Sequence, residues 1–195
     1  NCHMPHTSYA LFKGIRNHTV RSPNVKSSLE HGVPNACNLC HLDKTLEWTQ
    51  RSLVDWYGHE PLEMDSQQSN IAASVIWLLK GDAAKRAVVA WHYGWEPAQQ
   101  VSGVDWMANV LAYLLVDPYG VVRRIAEVST RTLPSMSNWQ YDFLAKRDAL
   151  KRSASAVLAR GQQRLAGFPP AVRLNRELIN NLLGERDNRP VSVKE

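Results

Sequence analysis

The chain has 195 residues, 44% of them hydrophobic, a formal net charge of +5 and 3 cysteines. A chain of that length buries a core of its own, so folding requires neither a disulfide scaffold nor a structural metal; no stretch nears the roughly 20 apolar residues of a membrane helix, the nearest being 110–116. The basic surplus lies wholly in residues 120–195, which hold 14 Lys and Arg against 7 Asp and Glu, while residues 1–119 hold 9 against 11. The arginines from Arg123 to Arg176 are spaced among acids through helix-like sequence, the pattern of a solvated face and not of a nucleic-acid footprint.

Residues 1–43 are rich in Pro, Asn, Ser and His, punctuated by Pro5, Gly14, Pro23, Gly32 and Pro34, and the expectation is little regular structure beyond a short turn of helix over 9–16. The opening Asn1-Cys2-His3 has neither an initiator Met nor a charged-then-apolar leader, and is read as a cut chain. From Lys44 the pattern becomes helical: Leu46, Thr49, Leu53 and Trp56 recur at three- and four-residue steps until Gly58 stops the run. Further helices are predicted at about 70–80, 82–93, 104–116, 119–133, 140–166 and 172–186. Nothing alternates with period two for long, so the fold class is all-α. Trp77-Leu78-Leu79-Lys80-Gly81-Asp82 recurs faintly about 36 residues on as Tyr113-Leu114-Leu115-Val116-Asp117. Leu111, Leu114, Leu115, Asp117, Val122, Arg123, Ala126 and Leu133 of the second copy resemble a HEAT-like helix-turn-helix unit, with Asp capping the second helix and Arg packed beside it. Two ordinary antiparallel helix pairs account for the same pattern.

The chemistry concentrates in Cys37-Asn38-Leu39-Cys40-His41. Two thiols at this spacing can form thioethers with the two vinyl groups of one haem, and the adjacent imidazole can take an axial position on the iron. A redox dithiol, half of a zinc site and an incidental pair compete with that reading. A thioredoxin-like dithiol wants an α/β domain, and no strands are visible. Zinc would recruit Cys2, Cys37, Cys40 and one histidine, and leaves unexplained why a histidine directly follows a cysteine in both places. Cys2-His3 is what remains of an identical motif if the cut fell between its cysteines. His6, His18, His31 and Met4 are further candidate axial ligands; His31 is divided between ligand and loop residue, and His6 leans towards no such role. His59 reads as a surface or capping group and His92 as a packed helical residue. The tryptophans are core by default, with Trp48 or Trp56 and Tyr9 as candidates to cover a macrocycle. A haem would also give the aperiodic N-terminal segment something to wrap around.

Cys2-His3-Met4-Pro5, then Arg16-Asn17-His18, then Pro34-Asn35-Ala36-Cys37-Asn38-Leu39-Cys40-His41, resembles the C-terminal haem region of multihaem c-type cytochromes related to the pentahaem nitrite reductases and tetrahaem electron carriers. The resemblance covers about the first 45 residues. It implies haem c on Cys37 and Cys40, a second, truncated site at Cys2, proximal ligands His3 and His41, a distal ligand at His18, and a HEAT-like helical tail. The architecture expected from it is a haem-wrapping segment at 1–43 followed by an α-helical domain at 44–195. The function implied is electron transfer to a redox partner protein or a neighbouring haem domain, in the periplasm or otherwise outside the cytoplasm, since bis-histidine ligation leaves no open position for substrate. Two alternatives remain: the end of a multihaem oxidoreductase acting on a small nitrogen or sulfur compound, and a helical interaction scaffold with a zinc-bound or incidental Cys/His end.

Overall fold

The computed structural model describes residues 1–10, 13–162 and 167–189. These are mostly helical, with eleven α-helices and one two-stranded hairpin among them, so the all-α expectation holds. None of the helices is long and apolar enough to cross a membrane.

The hairpin corrects the helix expected over 9–16. Strands β1 (Ser8–Ala10) and β2 (Lys13–Ile15) pair antiparallel with Tyr9 opposite Gly14. The cause is a close approach: a Cβ on Gly14 would lie 2.7 Å from Cε3 of Trp91, so this backbone can lie flat on an indole only because position 14 has no side chain. Flanking chain closes the loop, with Asn17 N–H donating to the Pro5 carbonyl at 2.9 Å and Arg21 N–H to that of His3 at 3.0 Å. Two short helices follow, α1 (Lys26–His31) and α2 (Ala36–Cys40), in a stretch whose sequence shows no helical periodicity.

Helix α3 (Leu46–Tyr57) begins where Thr45 caps the Trp48 N–H and ends where Gly58 turns left-handed at φ 66°. Next come α4 (Ser66–Asn70), α5 (Ala73–Lys80), α6 (Ala83–Tyr93), capped by Asp82, and α7 (Glu96–Ser102), which the periodicity does not announce. Helix α8 (Met107–Leu111) runs into a 3-10 turn at Ala112–Leu114 before α9 (Gly120–Arg131). Helix α10 (Arg147–Gln162) starts well after the predicted residue 140. The segment before it is a run of turns held by tertiary bonds: the Tyr141 hydroxyl donates to the Leu115 carbonyl, Arg123 Nε of α9 donates to that of Phe143 at 2.8 Å, and Trp139 stacks on Tyr141. The remainder of the helix expected to 166 lies outside the described residues. Helix α11 (Arg176–Gly184) closes the order.

Helix α5 folds back on α6, α6 packs along α9, α10 against α8 and α11 against α5. One hydrophobic core runs through them, from Val25, Leu39 and Leu42 to Leu182, so the cysteine-bearing turn is seated in the same core as the helices. At the junction of the two helix pairs, Arg86 and Asp117, 1% and 0% exposed, form a buried ion pair with Nε 2.8 Å from Oδ2. Arg186 joins them at 3.1 Å. Asp117 also accepts the Tyr119 N–H at 2.9 Å; it does not cap α9 as expected, since the N-cap residue is Tyr119 and has no side-chain cap, while Arg123 bonds the backbone carbonyls of Asp117 and Pro118.

Candidate functional site

Helix α2 presents Cys37 and Cys40 one turn apart, so both thiols leave the same face. His41 is the C-cap residue, its N–H bonded to the Cys37 carbonyl at 2.7 Å. A cleft of about 110 Å³ is lined by Cys37, Cys40, His41, Cys2, His6, His92 and Trp95, among others. All three thiols are free. Burial raises the Cys37 and Cys40 thiols above the usual cysteine range, and the neighbouring Cys2 raises them further.

The motif's intervening Asn38 is the anchor. It is fully buried; its Oδ1 accepts from Asn35 Nδ2 at 2.9 Å and Thr49 Oγ1 at 2.7 Å, and its Nδ2 donates to the carbonyls of Lys44 and Thr45 at 3.0 and 3.2 Å. Asn35 caps α2 through the Asn38 N–H and donates to Ser28 Oγ, tying α1 to the turn. Beyond the motif, Ser102 Oγ donates to the Cys40 carbonyl at 3.0 Å and accepts the Leu42 N–H at 2.8 Å; Ser74 Oγ donates to the Leu42 carbonyl and bonds the Tyr93 hydroxyl at 2.9 Å. The backbone on both sides of His41 is therefore held by α5 and α7. Sequence reasoning missed Asn38, Ser74 and Ser102, because partners up to 62 residues apart leave no local spacing to read.

The His41 ring lies against Trp48, centroids 4.8 Å apart. Partial burial lowers the His41 imidazole below its usual range, against the pull of the Asp43 carboxylate, and so favours the neutral, ligand-competent ring. His92, 1% exposed, donates from Nε2 to the His6 carbonyl at 2.8 Å. Burial pushes it down to about 4. His6 sits among Trp91, Trp95 and His92, also lowered by burial. The Nδ1 atoms of His6 and His92 are buried and have no hydrogen-bond partner among the described residues.

The other expected ligands lie elsewhere. His3 is exposed, with Nδ1 donating to the Arg21 carbonyl at 3.1 Å. His18 is exposed on the loop after β2, and His31 is exposed in the last turn of α1, 3.9 Å from Glu30. The structure thus gathers Cys37, Cys40, His41 and Cys2 into one cleft and adds His6 and His92, while His3, His18 and His31 stand outside it. Trp56 is exposed at the far end of α3. No three His, Cys, Asp or Glu side chains among the described residues are placed to hold one metal ion.

The donor set fits haem attachment at its edge: two thiols on one helical turn, a neutral imidazole directly after them, and buried ring nitrogens lacking partners. Its volume is below the roughly 300–1,000 Å³ of pockets that enclose drug-sized ligands, so these residues supply an attachment edge and do not enclose a macrocycle. Comparison with family models, with curated proteins and with solved structures finds no match to this chain.

Proposed function

We propose that the chain carries haem c on Cys37 and Cys40, with His41 as an axial ligand, and that it transfers electrons as part of a multihaem cytochrome. The observation that carries this reading is the placement of both thiols and a neutral imidazole on one rigidly held turn opening into a single cleft. When bound, the haem supplies the redox couple. The residues do the rest: Cys37 and Cys40 tether it, His41 offers a ring nitrogen, and Asn38, Ser74 and Ser102 hold the turn so that the ligand does not have to be ordered at the moment of binding. Cys2 and His3 are proposed as the remainder of a second site; His18 and His31, expected as distal ligands, are exposed and outside the His41 cleft. A periplasmic or other extracytoplasmic location follows from the same reading, since covalent attachment of this kind is made on exported chains.

The two helix pairs are proposed as HEAT-like units. Supporting this, Asp82 and Asp117 occupy the turns of the two pairs, and Arg86 of the first reaches Asp117 of the second, a contact that links adjacent units.

The test is a pyridine haemochrome spectrum with intact mass, on protein made in a host that matures c-type cytochromes. The expected result is a c-type band with the mass of one or more haems, the adduct at this site lost in Cys37→Ala/Cys40→Ala. An unmodified mass, with zinc or with nothing bound, overturns the reading in favour of the zinc-bound or scaffold alternative.

A further inference from the structure

Helix α3 connects the site to a second feature. Trp48, near its start, covers His41; Trp56, eight residues on and about 12 Å along the helix axis, is 67% exposed, and Tyr57 beside it is 71% exposed. Their rings are 6.4 Å apart and Tyr57 is the same distance from His59. Aromatic side chains left in water side by side contribute nothing to the core, and this is the composition of the anchoring centre of a protein interface.

The surroundings specify the sign of the partner. Between Arg51 and Lys80 the sequence contains no Lys or Arg but does contain Asp55, Glu60, Glu63 and Asp65, in a chain whose net charge is +5. All four are exposed, and among the described residues Asp55, Glu60 and Glu63 make no ion pair. Next to the aromatic pair, a groove of about 400 Å³ has an apolar floor of Val25, Leu53 and Leu62; on one wall Lys26 pairs with Glu30 at 3.7 Å, and on the other Glu60 and His59 stand without an ion-pair partner among the described residues. Such a groove suits a lysine, whose four-carbon stem lies along apolar surface while its ammonium meets carboxylates.

We propose that this face docks a small lysine-rich electron-carrier protein, with Trp56 and Tyr57 as the central anchors and the Asp55, Glu60 and Glu63 carboxylates as the rim that steers it. The proposal rests on the electron-transfer reading for the identity of the partner, whereas the docking itself does not require haem. Exposed acids that no ion pair neutralises raise the encounter rate of a basic protein and reject an acidic one, and the association weakens as salt screens it.

The experiment titrates the full chain, matured with haem, against mitochondrial-type cytochrome c as the basic probe, by NMR at low ionic strength and again at high salt. Binding is expected at low salt and to weaken at least about tenfold at high salt, with Trp56→Ser and Glu60→Lys/Glu63→Lys each weakening it about tenfold while leaving the helical circular dichroism unchanged. No binding at low salt, equal binding by both variants, or equal binding of a small acidic flavodoxin overturns the proposal. Self-association lost in Trp56→Ser would make the occupant a second copy, which also overturns it. Haem content, scored separately by intact mass, separates the two claims: a haem-free chain that still binds through Trp56 keeps the docking face and removes the electron-transfer reading.

Discussion

His92 Nε2 donates to the backbone carbonyl of His6 at 2.8 Å across 86 residues of sequence, and this bond fastens the N-terminal segment to helix α6 beside the cysteine cleft. The proton must sit on Nε2, because a carbonyl only accepts. That leaves Nδ1 as a buried acceptor without a partner, in a ring that burial holds neutral down to about pH 4. The N-terminal segment, expected to wrap around a cofactor, therefore has a protein surface to lie on as well, made of Trp91, His92 and Trp95.

The haem-free chain should lose stability as the pH falls below about 6.5. In the unfolded chain His92 takes up a proton near its ordinary value of 6.5, and in the folded chain only near 4. Between those values the unfolded state binds more protons, so stability is complete above about pH 6.5 and falls as pH drops towards 4, by up to about 3 kcal/mol from this residue. The lowered His6 and His41 act in the same direction. Urea melts at a series of pH values should show the decline, and His92→Gln should flatten it.

Asn38→Ala should destabilise the chain by about 2–4 kcal/mol, since it leaves Asn35, Thr49 and two backbone carbonyls without their buried partner. The specific consequence is at α2: amide hydrogen exchange over residues 36–45 should speed up more than exchange in α9. Equal loosening everywhere would show that Asn38 does not hold the turn.

The thiols should differ in reactivity. Cys2 is exposed, whereas Cys37 and Cys40 are half-buried with thiols raised by that burial, and the reactive form is the thiolate. In the haem-free, reduced chain at pH 8, iodoacetamide should modify Cys2 several-fold faster than the other two, as read by peptide mass. Concentrated guanidinium should abolish the difference.

Asp117→Ala should cost about 3–5 kcal/mol, because it strands the guanidinium groups of Arg86 and Arg186 in the interior. Asp117→Asn keeps the shape and should fall between that variant and the parent. The measurement is the urea midpoint of each, with the triple variant Arg86→Met/Asp117→Leu/Arg186→Met expected to recover much of the loss because no buried charge is left alone, and Arg86→Met/Asp117→Leu only part of it because Arg186 keeps its charge without Asp117.

What the sequence determined by itself was local. Helix periodicity from Lys44 with Gly58 as its stop located α3, Asp82 located the start of α6, and the spacing of Cys37, Cys40 and His41 singled out two thiols and an imidazole close together in the chain. Those features depend on neighbours three or four residues apart, where bond geometry alone sets direction. Tertiary structure decided the rest. It turned 9–16 into a hairpin because Gly14 lies on Trp91, delayed α10 because Tyr141 and Phe143 are bonded to the Leu115 carbonyl and to Arg123, and brought His6 and His92 to the cleft while leaving His3, His18 and His31 outside it. These outcomes come from contacts between residues far apart in the chain, whose energies exceed the small local preferences and which have no period to betray them.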